Sequence, residues 1–140
     1  AQADWLRRDL PDTIPDQQQR GRVSVVEQSV FEPSPPADVV FIIRAFKTLP
    51  DADAAHALRR AAENLLPGGR VLLVEDLLDT DDLDEHDGEA DLLALTVHGS
   101  GLRTAAELDA VIARAGLVRA AQHTVGWGTT VHDLAPADTY

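Results

Sequence analysis

The sequence contains no cysteine and no methionine. Because there is no cysteine, the chain can form neither a disulfide framework nor a thiolate metal site. No stretch approaches the roughly 18 consecutive apolar residues that a membrane-spanning helix needs, and the N-terminal residues lack the layout of a signal peptide. We therefore expect a cytoplasmic protein with no membrane partner. The absence of even an initiator methionine indicates processing, or a chain that is part of something longer.

Basic residues are also scarce, with 12 Lys and Arg against 24 Asp and Glu and a formal net charge of -12. No basic stripe offsets this charge, which argues against a nucleic-acid partner. The acidic residues are densest at 79–89, where like charges should keep the segment solvated. Their spacing matches no compact calcium loop, so we expect no metal site. The 140 residues suffice for one modest core and a single domain, residues 1–140.

The most informative stretch is residues 65–76, Leu-Leu-Pro-Gly-Gly-Arg-Val-Leu-Leu-Val-Glu-Asp. Pro67 should stop a helix, the paired glycines Gly68 and Gly69 favour a turn, and residues 71–74 predict a strand covered on both faces. The acidic residue that follows lies where open α/β sheets place their ligands. The pattern is typical of the late half of an α/β nucleotide-type fold, although an ordinary helix-to-strand turn explains it equally well.

The remaining periodicities predict two further strands, three helices and a hairpin. Residues 23–27 and 39–43 read as strands, and Asp51 should cap a helix that ends before Pro67 and presents Leu58, Ala62, Leu65 and Leu66 on one face. Residues 90–97 can form a helix. Thr104 and Glu107 have the spacing of a capping box, and Gly116 should end the helix that they open. Residues 117–125 and 129–134 predict an antiparallel hairpin.

By the same periodicity, eight positions should face the core. They are Phe41, Ile42, Leu65, Leu66, Val71, Leu73, Val111 and Ile112.

Seven motifs occur in the order and spacing of a known family. They lie at residues 9–11, 30–33, 49–54, 66–75, 91–93, 103–107 and 115–117. Together they resemble the S-adenosylmethionine-dependent small-molecule O-methyltransferases, the group of the plant caffeate-type and actinomycete polyketide-tailoring enzymes. The resemblance implies a Rossmann-like methyltransferase sheet from its second to its last strand, with a C-terminal antiparallel hairpin. The family's first strand and glycine-rich loop have no counterpart in this sequence, so we expect another polypeptide to complete the sheet.

The resemblance also implies which residues contact S-adenosyl-L-methionine. Asp9 matches the carboxylate that accepts hydrogen bonds from the ribose hydroxyls. Ser29 occupies the position of an aspartate that meets the adenine amine, which weakens that contact. Phe31 packs either near the adenine or in the core. Arg44 opens the segment that follows the next strand and is assigned to the cofactor as well.

Three positions of the family's acid–base machinery align with Lys47, Glu75 and Leu102. Lys47 replaces the histidine that removes the acceptor hydroxyl proton; free lysine side chains have a pKa of about 10.4 and cannot accept that proton at neutral pH. Glu75 matches the glutamate that orients the base, whereas Leu102 replaces a second glutamate. Lys47 and Glu75 are either catalytic or a structural ion pair, and we expect them within ion-pair distance. His98 is either a base, a substrate ligand or merely solvated.

The expected function is therefore a segment or subunit of an O-methyltransferase-like enzyme acting on a small aromatic or polyketide hydroxyl compound in secondary metabolism. Methyl transfer from a sulfonium is an in-line displacement that depends largely on positioning, so a base is useful but not always essential. The changed acid–base positions leave two alternatives open. One is a non-methylating tailoring step such as hydroxylation, decarboxylation or cyclisation, and the other is a non-catalytic partner subunit.

Overall fold

The computed structural model describes residues 21–78, 101–126 and 128–139. Its four strands form one sheet: β1 (Ala37–Ile43), β2 (Leu65–Asp76), β3 (Leu117–Gly126) and β4 (Thr129–Pro136). The strand order is β1-β2-β4-β3; β1 and β2 are parallel, whereas β4 is antiparallel to both of its neighbours. The predicted α/β sheet with a C-terminal antiparallel hairpin is confirmed. The helix predicted at 90–97 and the acidic segment at 79–89 lie outside the described residues.

Two helices, α1 (Asp51–Ala62) and α2 (Ala105–Arg114), pack on one face of this sheet. Alternate residues of β2 and β4 point towards them, including Val71, Leu73 and Leu134, which are fully buried. The helices add mainly alanine and leucine from α1 and Leu108, Val111 and Ile112 from α2. Neither described helix is long and apolar enough to cross a membrane.

The capping box that opens α2 is confirmed. The Thr104 hydroxyl accepts from the Glu107 amide at 3.2 Å, and the Glu107 carboxylate accepts from the Thr104 amide at 2.8 Å. Gly116 follows the helix with φ of 77°, the left-handed conformation that glycine adopts without steric cost. Two backbone groups at the helix start are thus satisfied by local side chains, which is why the sequence sufficed to place it.

The start of β2 differs from the prediction. Helix α1 ends at Ala62 rather than before Pro67, and β2 already begins at Leu65. The turn residues are accommodated as an irregularity in the pairing with β1. Gly68 has φ of 79°, and a Cβ atom on Gly69 would lie 2.8 Å from the Leu66 carbonyl oxygen. The two glycines therefore serve a kink within the strand.

Helix α1 also starts differently: Pro50 is its N-cap and Asp51 its first helical residue. Pro50 has no side-chain donor or acceptor, so the acidic residues Asp51 and Asp53 in the first turn favour the helix through its dipole instead.

Strand β1 buries only one of its faces, which corrects part of the predicted core. Val40 and Ile42 pack against the core, while Val39, Phe41 and Ile43 are 44%, 62% and 61% exposed. The continuous apolar run suggested burial on both faces, but the period of two separates its residues into a covered and an uncovered set. Leu66, at 42% exposed, was likewise wrongly assigned to the core.

The strand predicted at residues 23–27 is absent: this segment has no regular secondary structure. Val23 and Val26 are 46% and 64% exposed. A β-branched run forms a strand only where a neighbouring strand pairs with its backbone and a surface covers its side chains. None of the described strands pairs with this segment.

His132 on β4 is completely buried, with 0% exposure. Its Nδ1 accepts a hydrogen bond from Nε of Arg119 at 3.1 Å, and Arg119 pairs with Asp109 of α2. Burial, followed by the charge of Arg119, lowers the pKa of His132 to about 4. The imidazole is therefore neutral at pH 7 and structural.

Replacing Ile112 with alanine should cost about 2–5 kcal/mol of unfolding free energy, because its side chain is only 3% exposed between α2 and the sheet. Val125→Ala, at a position 61% exposed, is the control and should change stability by no more than about 0.5 kcal/mol. Urea melts of both variants measure the difference. A loss well below about 1 kcal/mol for Ile112→Ala would contradict the packing of α2.

Stability should depend on the protonation of His132. Its pKa is about 4 in the folded chain and near 6.5 when free, so the unfolded chain binds the proton more tightly and stability falls as the pH drops from 6.5 towards 4. The shift in the pKa of His132 corresponds to a loss of unfolding free energy on the order of 3 kcal/mol over this range. Urea melts at both ends of this range should show a smaller loss for His132→Gln, which does not titrate. Equal losses in the two proteins would refute the assignment.

Candidate functional site

The parallel pair β1–β2 brings the two strand ends predicted to carry chemistry to one edge of the sheet. Arg44 directly follows β1, and Glu75 and Asp76 are the last residues of β2. A 3-10 turn, Phe46–Thr48, comes next after β1 and carries Lys47. This edge is where open α/β sheets place ligands.

The three predicted acid–base positions are close together. Lys47, Glu75 and Leu102 line one narrow hollow with Phe46, Asp76, Leu77, Gly101, Arg103 and Leu108. Its free volume is about 10 Å³, room for at most one water molecule. The described residues therefore bring the acid–base positions together but do not by themselves enclose a substrate.

Glu75 is the buried carboxylate of this site, with 5% exposure. Its Oε1 accepts a hydrogen bond from the Phe46 backbone amide at 2.8 Å. Burial raises the pKa of Glu75 above its usual range; the Phe46 hydrogen bond and the charge of Arg103 oppose this shift, and the charge of Lys47 opposes it less. The carboxylate therefore supports the turn through the backbone.

Lys47 is the sole lysine in the sequence; the other basic residues are arginines. It is half-buried beside Glu75. Among the described residues, no direct ion pair joins the two, since no Lys47 nitrogen lies within 4.0 Å of a Glu75 carboxylate oxygen. The Phe46 backbone amide binds the carboxylate instead, and Lys47 lines the hollow beside it.

Arg103 belongs to the site although its side chain was not among the predicted site residues. It is 7% exposed, unusual for arginine. Its Nη1 donates to the Phe46 carbonyl at 2.7 Å, its Nη2 donates to the Leu49 carbonyl, and its Nε donates to Asp51 at 2.8 Å. Arg103 opens the motif at residues 103–107 and precedes the capping box, but neither feature indicates these distant partners.

Arg44 lies at the same edge, and its side chain reaches towards the end of β2 and the start of β4. It has φ of 52°, a conformation rarely adopted by residues other than glycine. Its backbone amide donates to the Val74 carbonyl at 2.8 Å, and its Nη2 lies 3.3 Å from the Thr129 hydroxyl and 3.8 Å from Asp76. The guanidinium is more than half exposed, so it has donors left for a ligand.

Ser29 and Phe31 lie near a second hollow. This hollow holds about 200 Å³ and lies between the segment 28–34, β1 and α1, with Ser29, Glu32 and Phe41 among its lining residues. The Ser29 hydroxyl accepts from the Phe31 amide at 3.2 Å. The Phe31 ring packs at 5.6 Å from the His56 ring on α1. Asp9 and His98 lie outside the described residues.

The sequence profile of the O-methyltransferase domain family matches residues 4–118. That is most of the chain. The chain belongs to the O-methyltransferase domain family. The resemblance noted from the seven motifs is thereby confirmed, and so is the methyltransferase type of sheet.

Two curated relatives of this O-methyltransferase-domain chain come from Streptomyces. The 2,7-dihydroxy-5-methyl-1-naphthoate 7-O-methyltransferase of Streptomyces carzinostaticus is 36% identical over 117 residues, which cover 82% of this chain and 34% of that protein. Aclacinomycin 10-hydroxylase RdmB of Streptomyces purpurascens is 36% identical over 122 residues, covering 81% of this chain and 31% of that protein. The chain therefore spans about a third of the length of these relatives.

A solved O-methyltransferase has the same fold. The crystal structure of NcsB1 from neocarzinostatin biosynthesis, in complex with S-adenosyl-L-homocysteine and 1,4-dihydroxy-2-naphthoic acid, is 30% identical with a TM-score of 0.77. The match covers 93% of this chain and 37% of that one. The family and the fold are thus shown, whereas the roles of individual residues in this chain stay predictions.

Glu75→Ala should be less stable than Glu75→Gln by about 1–3 kcal/mol, because alanine leaves the buried Phe46 amide without an acceptor while glutamine keeps an oxygen there. Because the pKa of Glu75 is raised, the folded chain binds the Glu75 proton more tightly than the unfolded chain does. Ionisation of Glu75 therefore lowers the unfolding free energy as the pH rises, and the Glu75→Gln variant does not show this loss.

Urea melts at neutral pH compare these variants, with Glu63→Ala as the control. Glu63 is exposed and its ion pair with Arg60 contributes at most about 1 kcal/mol. Equal stability of the Ala and Gln variants would mean that the Phe46 amide does not depend on residue 75.

Proposed function

We propose that this chain is the part of an S-adenosylmethionine-dependent O-methyltransferase-like enzyme that supplies the acid–base edge of its active site. The acceptor is a hydroxyl group of a small aromatic or polyketide compound, and the enzyme acts in the cytoplasm in secondary metabolism. The observation that carries the proposal is the convergence of Lys47, Glu75 and Leu102 on one hollow in a chain of this family. The naphthoate methyltransferase relative supports the acceptor class.

The second hollow fits a part of the cofactor. Ser29 and Glu32 offer polar groups beside the apolar walls of Phe41 and Ile42, as a flat, polar-edged ring such as adenine requires. Its volume of about 200 Å³ is below the roughly 300–1,000 Å³ of complete ligand pockets. S-adenosyl-L-methionine would supply the methyl group as a sulfonium, with Asp9, Ser29, Phe31 and Arg44 as its proposed contacts.

The rest of the site is proposed to come from another polypeptide. β1 is the outermost of the described strands on its side of the sheet. On the face of β1 that points away from the helices, Val39, Phe41 and Ile43 form an exposed apolar row. Proteins normally cover both an apolar patch of this kind and the unpaired backbone edge of an outermost strand. A segment with a further strand, its helix and the family's glycine-rich loop would pair with the outer edge of β1, cover the apolar row with the helix and bring backbone amides to the cofactor.

A non-methylating tailoring reaction is the second candidate. Lys47 and Leu102 stand where the family uses a histidine and a glutamate, so the described acid–base set offers no general base for the acceptor hydroxyl other than the buried Glu75. The 10-hydroxylase relative is as similar to the chain as the methyltransferase relative. A non-catalytic subunit is the remaining alternative.

A chimera tests the proposed function. This chain replaces the matching segment of the naphthoate 7-O-methyltransferase, and calorimetry with S-adenosylmethionine and mass spectrometry of that enzyme's naphthoate acceptor follow cofactor binding and methyl transfer. We expect the chimera to bind the cofactor and methylate the acceptor slowly. Lys47→His should then raise the rate, by at most the roughly 10²–10⁴-fold that a general base contributes.

The isolated chain is the control, and it should bind S-adenosylmethionine far more weakly than the chimera. Cofactor binding without methyl transfer, both by the chimera with Lys47 and by its Lys47→His variant, would favour the non-methylating candidate. Micromolar affinity of the isolated, monomeric chain would refute the need for another polypeptide.

A further inference from the structure

The turn that carries Lys47 is held at both of its ends by Arg103. The guanidinium donates to the carbonyl of Phe46 through Nη1 and to the carbonyl of Leu49 through Nη2. These two residues bracket the 3-10 turn, so a single planar group fixes its entry and its exit. Each arm of the guanidinium has its own acceptor, a geometry that the single ammonium of lysine does not reproduce.

Glu75 holds the same turn from the end of β2. Its carboxylate accepts from the Phe46 amide, while Arg103 donates to the Phe46 carbonyl. The two peptide groups that flank Phe46 are therefore bound by buried side chains of opposite charge. Lys47 is the next residue, and its backbone has little freedom while both bonds are in place.

We propose that Arg103 is a positioning residue, which holds Lys47 in its place over the hollow through the backbone of the turn. What Lys47 does there rests on the proposed function. Arg103 itself touches neither acceptor nor cofactor in this scheme. Its charge has a second effect, since it lowers the pKa of Glu75 against the rise caused by burial.

A purely structural role would differ in one respect. Arg103 precedes the N-cap of α2 and pairs with Asp51 at the start of α1, so it could merely join the two helices. In that case the bond to Asp51 would matter most, because Asp51 is the helix residue that Arg103 reaches. If Arg103 positions Lys47, the place of the Lys47 side chain depends on the two carbonyl bonds and does not depend on the Asp51 bond.

The sole lysine makes the test specific. The full 140-residue chain labelled with [ε-13C]lysine gives one side-chain NMR signal, which reports on Lys47 alone. Arg103→Gln removes the forked guanidinium that makes the two carbonyl bonds, and Asp51→Ala removes only the Asp51 acceptor. Arg59→Gln is the matched control, because Arg59 also donates to a backbone carbonyl, that of Arg114 at 2.8 Å, away from the turn.

We expect Arg103→Gln to move the Lys47 signal to the position and line width of a free lysine, and to raise the pKa of the Glu75 carboxyl, followed by carboxyl 13C NMR. Asp51→Ala and Arg59→Gln should leave the Lys47 signal in place. An unchanged signal in folded Arg103→Gln, or equal shifts in Arg103→Gln and Asp51→Ala, would overturn the proposal.

Arg103→Lys is the second variant, used if Arg103→Gln does not fold. It contains a second lysine, whose NMR signal is assigned from the double variant Lys47→Arg Arg103→Lys. The Arg103→Lys variant keeps the positive charge but lacks the forked guanidinium. The Lys47 signal should therefore shift, while the pKa of Glu75 stays close to that of the parent chain. A Lys47 signal like that of the parent chain would overturn the proposal. These signals require no cofactor, so a failure of methyl transfer in the chimera leaves this test unaffected.

Discussion

The candidate site depends on the burial of two opposite charges around one backbone turn. A carboxylate at 5% exposure and a guanidinium at 7% are costly to remove from water unless their hydrogen bonds are satisfied. Here the peptide groups around Phe46 and the Leu49 carbonyl provide the partners. The turn satisfies the hydrogen bonds of these two side chains, and the side chains in return hold its backbone. The strands β1 and β2 and the residues that precede α2 meet at this point.

The second constraint is the one-sidedness of the described core. Both helices pack on the same face of the sheet, and the buried residues of β2 and β4 point to that face. The opposite face of β1 presents Val39, Phe41 and Ile43 to solvent. The described residues likewise form only part of a site, since its two hollows are too small for a complete cofactor and an acceptor.

Features that depend on neighbours in sequence could be predicted, and those that depend on distant backbone groups could not. Thr104 and Glu107 complete a cap within four residues, and Glu75 follows a strand whose end is a general ligand position. The two partners of Arg103 in the turn, in contrast, are backbone carbonyl groups 57 and 54 residues away, which leave no trace in the sequence. The exposure of Phe41 was missed because an apolar run does not tell which face is covered.

The antiparallel last strand has a consequence for how such a site can vary. Because β4 runs opposite to β2, its first residue Thr129 pairs with Asp76 at the carboxyl end of β2. The turn between β3 and β4, with Gly126 and Gly128 at positive φ, therefore borders the site. Connecting segments at the surface tolerate insertions better than the strands that they join. The rim of the site can thus be remodelled by insertion at this turn while the acid–base edge keeps its geometry.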